Sequence, residues 1–386
     1  MNKIVSKLLG TALIGSASLG MAAEIDVMTQ NQYLGADLTP VLSAATADPF
    51  NPEVFNAAVV MTLQKIAAAR PAERAKALAA QIAQRNPDVV GLQEAYRFAC
   101  LPYPFVPEVP GRGCDDPDVK GAFNDQLQNA EAALGGKYVV AGKVTNLKVD
   151  AIPFAVNGFP AILQVADRDA ILVRSGLPAS WVNFAPITLC RISDEGCNFT
   201  TRPPEFTTPL GPIAIERGFL AVDVTVKGQS YRIFNTHLEQ RLLAPNLPET
   251  RLLQVGQAFE VLNTALNTWN GIPKVLVIGD MNSAPPDTIP GAPTPYQVFT
   301  LNGFTDNWMM RPQVDDGLSC CQAESLTNRK SELYERIDMI FTLTRPRLVL
   351  DMKLLGNTMG DKTRPAGDGG LWASDHAAVA AKLHFD

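Results

Sequence analysis

Histidine and positive charge are scarce in this chain of 386 residues, which has three histidines and a formal net charge of -6 at pH 7. Proteins that recognise nucleic acid by its sequence usually carry a basic stripe, and none is visible here. An acidic chain can still cleave nucleic acid when a metal ion handles the phosphate charge. The deficit therefore disfavours nucleic acid as the substrate without excluding it.

Two catalytic or metal-binding signatures are also missing. The pattern Gly-x-Ser-x-Gly does not occur, which disfavours a serine hydrolase of the nucleophile-elbow type. No two of the six cysteines have two residues between them, and no histidine is near a cysteine pair. Structural zinc sites usually show such spacings, so the cysteines give little support for zinc.

The cysteines instead fit disulfide bonds formed in an oxidising compartment. The pair Cys100–Cys114 flanks a loop rich in Pro and Gly, and the pair Cys190–Cys197 flanks another polar loop. We expect each of these pairs to bond locally. The adjacent Cys320 and Cys321 form either a vicinal disulfide or bonds with two separate partners.

The N-terminus carries a targeting pattern. Residues 8–19 are mostly apolar, follow two lysines and precede small residues that end at Ala22 and Ala23. This order predicts a secretory signal peptide over residues 1–23 and a catalytic domain over 24–386. A short N-terminal helix of the folded domain is the alternative. The run is too short to span a membrane and no later run qualifies, so we expect a secreted or periplasmic protein without a transmembrane segment.

Predicted strands outnumber predicted helices. Apolar spacing indicates long helices at 52–69, 72–86 and 251–269. The predicted strands are 24–31, 88–94, 137–146, 168–174, 217–226, 230–237, 274–280, 337–343, 347–354 and 377–384. The segments expected to be loops are 97–125, 150–165, 183–212 and 283–300. Because no repeat or linker divides the chain, we expect one α/β domain of packed sheets with helices outside.

Two of the three histidines lie in short polar clusters. The string Asn-Thr-His ends at His237, and Ser-Asp-His ends at His376. Between them along the chain, Gly-Asp-Met-Asn ends at Asn282. Earlier in the chain, Glu94 ends a separate apolar strand. One such string alone often makes only an Asx-turn after a strand. Together they place oxygen ligands for a hard metal and two proton-transfer groups at strand ends. This combination is typical of metal-assisted phosphoester hydrolysis.

On these motifs the chain resembles the endonuclease/exonuclease/phosphatase superfamily, which includes secreted deoxyribonucleases, bacterial sphingomyelinases and inositol-polyphosphate phosphatases. The matching segments are Thr29-Gln30-Asn31, Val90-Gly91-Leu92-Gln93-Glu94, Arg217-Gly218-Phe219, Asn235-Thr236-His237-Leu238, Gly279-Asp280-Met281-Asn282, Arg336-Ile337-Asp338 and Ser374-Asp375-His376-Ala377-Ala378-Val379. They cover nearly all of the mature chain. The resemblance implies a four-layer α/β/β/α sandwich of two packed mixed sheets with helices outside.

The resemblance also implies which residues hold the metal and the phosphate. Glu94 would be the principal carboxylate ligand of Mg²⁺ or Mn²⁺, with Asp375 on the same side. Asn31 would help to hold that metal or a phosphate oxygen. Arg217 corresponds to an arginine that contacts phosphate, because a guanidinium can bind two oxygens at once.

The remaining matches imply the proton-transfer groups. His376 would be the general base, with Asp338 holding its other ring nitrogen. His237 would donate a hydrogen bond to a phosphate oxygen or to the leaving group. Asp280 and Asn282 would orient the attacking water and the scissile phosphate.

Some positions depart from the nuclease branch. The second carboxylate that some nucleases carry after the asparagine is absent after Asn31. Where deoxyribonucleases have a glutamate that supports a histidine, this chain has Asp167, which is one methylene shorter. Whether Asp167 or Asp169 supports His237 therefore stays open. His384, two residues from the C-terminus, is expected to take no part.

The expected loops favour one class of substrate. They are rich in Pro, Gly and apolar residues, whereas binding of a duplex backbone needs Lys and Arg. Segments 152–156 and 181–184 could line a pocket or make peripheral contact with a lipid, although we expect ordinary packing. We therefore favour a phospholipid or small phosphoester, cleaved by a monomeric enzyme, over nucleic acid cleaved by a DNase-type endonuclease. A non-catalytic binding protein would have lost a key residue such as Glu94 or His376, and both are present.

Overall fold

The computed structural model describes residues 23–185, 190–208, 211–241, 250–271, 273–312, 315–363 and 369–386. The strands are β1 (Ala23–Asn31), β2 (Val89–Gln93), β3 (Arg97–Pro102), β4 (Asn124–Asp125), β5 (Tyr138–Val156), β6 (Phe159–Arg174), β7 (Ala179–Trp181), β8 (Arg191–Ser193), β9 (Gly196–Asn198), β10 (Phe206–Thr208), β11 (Gly211–Ile213), β12 (Gly218–Val226), β13 (Gln229–His237), β14 (Lys274–Asp280), β15 (Thr305–Asp306), β16 (Asp338–Thr342), β17 (Leu348–Leu355) and β18 (Ala378–Phe385). The α-helices are α1 (Thr39–Ala45), α2 (Pro52–Ala68), α3 (Pro71–Arg85), α4 (Gln126–Leu134), α5 (Thr250–Thr268) and α6 (Pro295–Leu301).

The signal peptide expected at the N-terminus lies outside the described residues, apart from Ala23, which begins β1. None of the helices in the described ranges has the length and apolar character that a membrane crossing requires.

Two mixed sheets form the centre of the molecule. The first has the strand order β17-β18-β1-β2-β6-β3-β4, with β5 paired to β6, and the second has the order β15-β16-β14-β13-β12-β9-β8, with β7 paired to β12. Strands β10 and β11 form a separate hairpin. Each large sheet contains one parallel pair, β1 with β2 and β13 with β14. Parallel neighbours end at the same edge of a sheet, so each pair brings two strand ends together.

The register of these pairs places polar residues opposite one another. Asn31 pairs with Gln93 at the ends of β1 and β2, and His237 pairs with Asp280 at the ends of β13 and β14. Asp280 also lies opposite Asp338, the first residue of the antiparallel strand β16. The topology therefore gathers polar strand ends from both sheets at one rim.

Three apolar layers hold this arrangement together. Side chains such as Ile25, Val222 and Ile278 fill the space between the two sheets. Helices α5 and α6 pack on the outer face of the second sheet, and α2, α3 and α4 pack on the outer face of the first. Burial of these apolar faces is the main stabilising contribution. The order helix, sheet, sheet, helix confirms the predicted four-layer sandwich.

The prediction of a loop at 150–165 was wrong, because this segment forms the end of the β5–β6 hairpin. Its turn is Asn157-Gly158, with φ of 51° and 79°, and Asn-Gly is the preferred pair when both turn residues have positive φ. Pro153 argues against a central strand, but among the described strands β5 pairs only with β6, and an edge strand tolerates proline.

The other expected loops also contain short regular elements. Segment 97–125 includes β3, which pairs with β6, and segment 183–212 includes β8, β9 and β10. Segment 283–300 includes most of α6, whose N-cap Thr294 forms a capping box with Gln297. These elements are too short for a periodic apolar pattern to reveal them.

The predicted local disulfides are confirmed. Cys100 bonds to Cys114 and Cys190 bonds to Cys197. The adjacent pair forms a vicinal disulfide, Cys320–Cys321, which decides between the two alternatives that the sequence left open.

Gly91 in β2 lies in close contact with side chains of the second sheet. The side-chain nitrogen of Asn235 donates to the carbonyl oxygens of Leu92 and Ala170 across the interface, at 3.0 and 3.1 Å, while its oxygen accepts from Gln93 at 2.6 Å. A Cβ at Gly91 would lie 2.6 Å from the Asn235 Oδ1 atom. A glycine is therefore required for this buried polar link between the sheets.

Substitution Gly91→Ala is expected to lower the free energy of unfolding by about 1–3 kcal/mol, because the added methyl group overpacks a fully buried interface. Urea denaturation would measure the change. Gly360→Ala is the matched control, since the nearest heavy atom to its added Cβ lies 3.7 Å away. Equal stability of the two variants would contradict the close approach of the sheets.

Candidate active site

Every residue predicted for the site lies in one connected cluster at the common rim of the two sheets. Its members are Asn31, Glu94, Arg217, His237, Asp280, Asn282, Asp338, Asp375 and His376. All except Asn282 and Asp375 are buried, and these two are half-buried. The polar strand ends that the sequence suggested separately are thus brought together.

Glu94 and Asn31 form one side of the cluster. The Asn31 side-chain nitrogen lies 3.2 Å from Glu94 Oε1 and 3.1 Å from Asp280 Oδ2, and its oxygen accepts the backbone N–H of Tyr33 at 2.9 Å. Glu94 Oε2 accepts the backbone N–H of Leu34 at 3.1 Å. The backbone of Glu94 has φ of 55°, which is unusual for a residue with a side chain. The turn after β2 therefore holds this carboxylate in a defined direction.

Asp280 occupies the middle of the cluster. Its Oδ1 accepts the backbone N–H of Asn282 at 2.8 Å, and its Oδ2 lies 3.6 Å from His237 Nε2 and 3.9 Å from His376 Nε2. Burial, and then the charge of Asp338, raise the pKa of Asp280 to about 7. A single carboxylate is therefore placed between the two histidines.

His376 and Asp338 form a hydrogen-bonded pair. His376 Nδ1 lies 2.8 Å from Asp338 Oδ2, while Nε2 faces Asp280 and lies 4.0 Å from Asp375 Oδ1. Burial alone would lower the pKa of His376, but Asp338, Asp375 and Asp280 together raise the pKa well above its usual value. The bond to Asp338 orients the ring and leaves Nε2 available on the cavity side.

A short segment that sequence reasoning missed supports this pair. Ser319 Oγ accepts the backbone N–H groups of Ile337 and Asp338 at 3.3 and 3.2 Å, and the Ser319 carbonyl accepts the N–H of Ala377 at 2.7 Å. The next residue, Cys320, belongs to the vicinal disulfide. The Ser-Cys-Cys string was the available signal, but nothing in the sequence connected it with the histidine.

His237 lies between two hydrogen-bond donors. Arg217 Nη1 is 3.0 Å from Nδ1, and the side-chain nitrogen of Asn282 is 3.0 Å from Nε2. A neutral imidazole accepts at only one nitrogen, and the charged donor makes the stronger bond. Nδ1 therefore accepts from Arg217, and Nε2 carries the proton. The side-chain nitrogen of Asn282 then makes no hydrogen bond with the ring and donates to the Leu238 carbonyl oxygen at 3.0 Å. Burial, then Arg217 and His376, lower the pKa of His237 well below its usual value, so the ring is a neutral donor.

The residue that contacts His237 Nδ1 is Arg217, and neither Asp167 nor Asp169 takes that position. Arg217 lies 3.4 Å from Asp167 Oδ2 and 3.6 Å from Glu239 Oε1, so it stands between Asp167 and the histidine. No hydrogen bond joins His237 to Asp167 or Asp169 among the described contacts. Burial raises the pKa of Asp167 to about 7 although Arg217 opposes the rise. Glu239 had no role in the sequence reasoning, although it lies two residues after His237 in the same cluster.

The cluster contains oxygen donors that suit a hard cation. Burial raises the pKa of Asp375 to about 6 against the opposing effect of His376, and the nearby charge of Glu94 adds to the rise. A divalent ion relieves the repulsion between neighbouring carboxylates, and Mg²⁺ prefers such oxygen ligands. Asp280, Asp338 and His376 also offer ligand atoms within 4.8 Å of one another, but the bond from His376 to Asp338 accounts for their proximity.

A second possible ligand group does not fit a metal. Cys320, Cys321 and His376 also place their ligand atoms within 4.8 Å of one another. Both sulfur atoms belong to a disulfide, whereas metal ligation by cysteine needs a thiolate. This group therefore does not change the expectation of an oxygen-ligated metal.

Without a metal, the protein is expected to be less stable at about pH 8 than at about pH 5. Folding raises the pKa of Asp280 and Asp167 to about 7 from an ordinary value of 3.8. Such groups stabilise the fold below their unfolded pKa, and this contribution is lost as the pH rises through the folded pKa. Thermal unfolding in EDTA at the two pH values measures the effect.

Asp280→Asn should reduce this pH dependence, because it removes one of the titrating carboxyl groups. Asp223→Asn is the control, since Asp223 forms an ion pair with Arg232 outside the cluster and should leave the dependence intact. Added Mg²⁺ should raise Tm more at the higher pH, where protons compete less for the ligands. A metal-free protein that is more stable at the higher pH would contradict this account.

The third histidine takes no part in the cluster. His384 lies in β18 and its Nδ1 is 4.0 Å from Glu24 Oε1, near the start of β1, whereas Asn31 at the end of β1 belongs to the site. Arg336, which is part of a matching motif, donates to Asp306 at 2.8 Å. These contacts of His384 and Arg336 are therefore made with residues outside the cluster.

No family model and no curated protein matches the sequence. Solved structures do match over nearly the whole chain. An endonuclease/exonuclease/phosphatase family protein from Bacteroides thetaiotaomicron superposes with a TM-score of 0.52 at 16% identity, covering 95% of this chain and 99% of that one. A mannosyl-6-phosphatase from the same organism gives a TM-score of 0.52 at 16% identity and covers 94% of this chain and 100% of that one. The chain therefore has the fold of the endonuclease/exonuclease/phosphatase superfamily, as its motifs implied.

Proposed function

We propose that this chain is a secreted, Mg²⁺- or Mn²⁺-dependent hydrolase of phosphodiesters or phosphomonoesters, and that its substrate is a small or lipid phosphoester. One observation carries the proposal. His376 Nε2 and His237 Nε2 lie 3.9 and 3.6 Å from the same oxygen of Asp280, and the environment of each histidine fits a different task.

His376 is suited to act as the general base. Asp338 holds Nδ1, so Nε2 can take a proton from a water molecule that attacks phosphorus. The charge of Asp338 also stabilises the imidazolium that forms when the proton is taken. Asp280 lies between the histidines and can orient the same water by accepting one of its hydrogen bonds.

His237 is suited to act as a donor to the phosphate. Arg217 occupies Nδ1, so the proton lies on Nε2, which faces the centre of the cluster. Negative charge grows on the phosphate oxygens and the leaving group during in-line displacement, and a fixed donor lowers its energy. The side chain of Asn282, 3.0 Å from the ring, can help to position the phosphate. Arg217 acts here through the histidine, while its direct contact with phosphate remains a prediction.

Glu94 and Asp375 would hold the divalent ion, with Asn31 as a further oxygen ligand after its amide group turns. When bound, the ion supplies positive charge that polarises the phosphate and neutralises its oxygens. The mutual repulsion of the buried Glu94 and the half-buried Asp375 supports this assignment. Mg²⁺ and Mn²⁺ both fit an oxygen donor set.

The cavity at the site offers little to a nucleic-acid backbone. It has a volume of about 900 Å³, and its lining includes three arginines but no lysine among the described residues. Arg217 lies beside Asp167, Arg241 forms ion pairs with Asp287 and Glu335, and Arg251 donates to a backbone carbonyl. Polynucleotides are held mainly by Lys and Arg contacts with phosphates, so this lining favours a substrate with one or two phosphate groups.

Three further features belong to the proposal. The three disulfides fit an exported protein, and the N-terminal pattern fits a signal peptide that leaves residues 24–386 as one catalytic domain. We expect this domain to work as a monomer. N-terminal sequencing of the exported protein would test the cleavage site.

Hydrolysis assays on the purified mature protein with Mg²⁺ test the proposal directly. The substrates are sphingomyelin, phosphatidylcholine, inositol phosphates, a sugar phosphate and plasmid DNA. The sugar phosphate is included because one structure of similar fold is a mannosyl-6-phosphatase. We expect EDTA to abolish activity and Mg²⁺ to restore it. Activity that survives EDTA would overturn the metal dependence, and nicking of plasmid DNA alone would favour a DNase-type endonuclease. Inactivity on every substrate would favour a binding protein.

A further inference from the structure

The cavity at the candidate active site extends along an apolar wall that the proposed reaction does not use. We propose that this part of the cavity, called the apolar arm, binds one hydrocarbon chain of an amphipathic phosphoester while its phosphate reaches the site. The apolar arm is lined by side chains of α1, α2, β5 and β6, among them Leu42, Phe55, Val59, Leu63, Ile152 and Leu163. The inference rests on the proposed function for the phosphate end of the substrate.

The wall is mostly apolar. Among the described residues, α1, α2, β3 and β5 contribute no charged side chain to the lining, and their polar contributions are Thr39 and Thr62. Strand β6 adds Leu163, Val165 and one charged residue, Asp167, which lies beside Arg217 at the candidate site. Leu63 and Ile66 are 1% and 0% exposed, so they lie in the core beneath the wall, whereas the half-buried Leu42 and Ile152 present apolar surface to the cavity. Protein cores are normally close-packed with few voids larger than a water molecule. A cavity of about 900 Å³ that reaches such a core has the size and lining of a binding site for an apolar group.

The apolar arm is continuous with the candidate site. Leu34, which lines the cavity, donates its backbone N–H to Glu94 Oε2 at 3.1 Å. Two residues after Glu94, Tyr96 stacks on Phe98 with ring centroids 5.6 Å apart, and both rings line the cavity. One ligand can therefore place a charged group beside Glu94 and an apolar group against these rings.

The lining distinguishes a hydrocarbon chain from a peptide segment. A bound peptide brings backbone N–H and C=O groups, and each one buried without a partner is costly. The two threonines on this wall could satisfy few of them. A hydrocarbon chain has no such groups, and each methylene that leaves water contributes favourably. The occupant that fits best is therefore a single alkyl or acyl chain.

Binding of ethyl, butyl, hexyl and octyl phosphate to the Mg²⁺-loaded protein, measured by calorimetry, tests the inference. Each added methylene should tighten Kd by about threefold to fourfold until the chain fills the apolar arm. Ile152→Trp should narrow the arm, abolish this dependence on chain length and leave the Kd of ethyl phosphate unchanged. Leu42→Trp, which changes a lining residue on α1, repeats the test in case the first variant does not fold.

Ile192→Trp is the matched control, because Ile192 is exposed in β8 and does not line the cavity. This variant should keep the wild-type dependence on chain length. A Kd that is independent of chain length in the wild type would overturn the inference, as would an unaltered dependence in both arm variants. Chain-dependent binding without hydrolysis of any phosphoester would overturn the proposed function alone. Hydrolysis without chain dependence would overturn only the apolar arm.

Discussion

The variant His376→Ala is expected to lower kcat by about 10²–10⁴ with little change in KM. His376 Nε2 faces Asp280 and the cavity, and its Nδ1 is held by Asp338 at 2.8 Å. Without the ring, the attacking water loses the base that Asp338 orients toward the cavity. Steady-state kinetics with Mg²⁺, on whichever phosphoester the wild type cleaves, measures the effect.

The chain offers a matched control in His384→Ala, because His384 lies near Glu24 and outside the cluster. This variant should keep full activity. Asp338→Asn adds a measurement of the pH–rate profile, which a purely structural role of Asp338 would leave unchanged. Asp338 raises the pKa of His376, so its neutralisation should lower that pKa and shift the acid limb of the pH–rate profile to lower pH. Full activity of His376→Ala would rule out this residue as the general base.

The variant Arg217→Met is expected to reduce both stability and activity. Arg217 is buried between Asp167 and Glu239, and removal of one partner from a buried ion pair costs about 3–5 kcal/mol. The substitution also removes the donor at His237 Nδ1, so the proton of that ring is no longer confined to Nε2. Urea denaturation and kcat together measure the two consequences.

Arg232→Met serves as the control for charge removal on the same sheet. Arg232 pairs with Asp223 away from the site, and the Asp223 side chain is 34% exposed, so we expect a cost of about 1 kcal/mol and unchanged kcat. Arg217→Lys should fall between wild type and Arg217→Met, because an ammonium keeps the charge but not the fork geometry. Equal loss of stability in the two methionine variants would contradict the assigned role of Arg217.

Much of the fold could be predicted because its central strands carry a strong local signal. The predicted strands at 274–280 and 24–31 match β14 and β1 within one residue. Strand β14 contains the continuous apolar run expected of a buried parallel strand, and β1 begins with apolar residues at alternate positions. The hairpin of β5 and β6 was partly missed. Its far end packs against α2 and includes Pro153 on the edge strand β5 and Pro160 at the start of β6, so the local pattern resembled a loop.

Much of the candidate site could also be predicted, because its residues lie at the ends of strands that have a clear sequence pattern. Polar residues that directly follow buried strands stand out, so Glu94, Asp280 and His237 were evident in the sequence. Ser319 and Glu239 were not evident, because a serine beside cysteines or a second acid in a polar cluster has many possible roles. Their contacts with Asp338 and Arg217 exist only after distant segments meet.

The sequence by itself determined the set of chemical groups, the four-layer fold implied by its motifs and the local disulfide pairs. Only the tertiary structure decided how those groups divide their work. Burial lowers the pKa of both histidines. Arg217 lowers the pKa of His237 further, whereas Asp338 and the neighbouring acids reverse the effect at His376. The apolar wall beside Glu94 likewise became visible only in the folded chain, since its residues come from four separate elements. The physical reason is that hydrogen bonding, burial and charge act through space, between residues far apart in the chain.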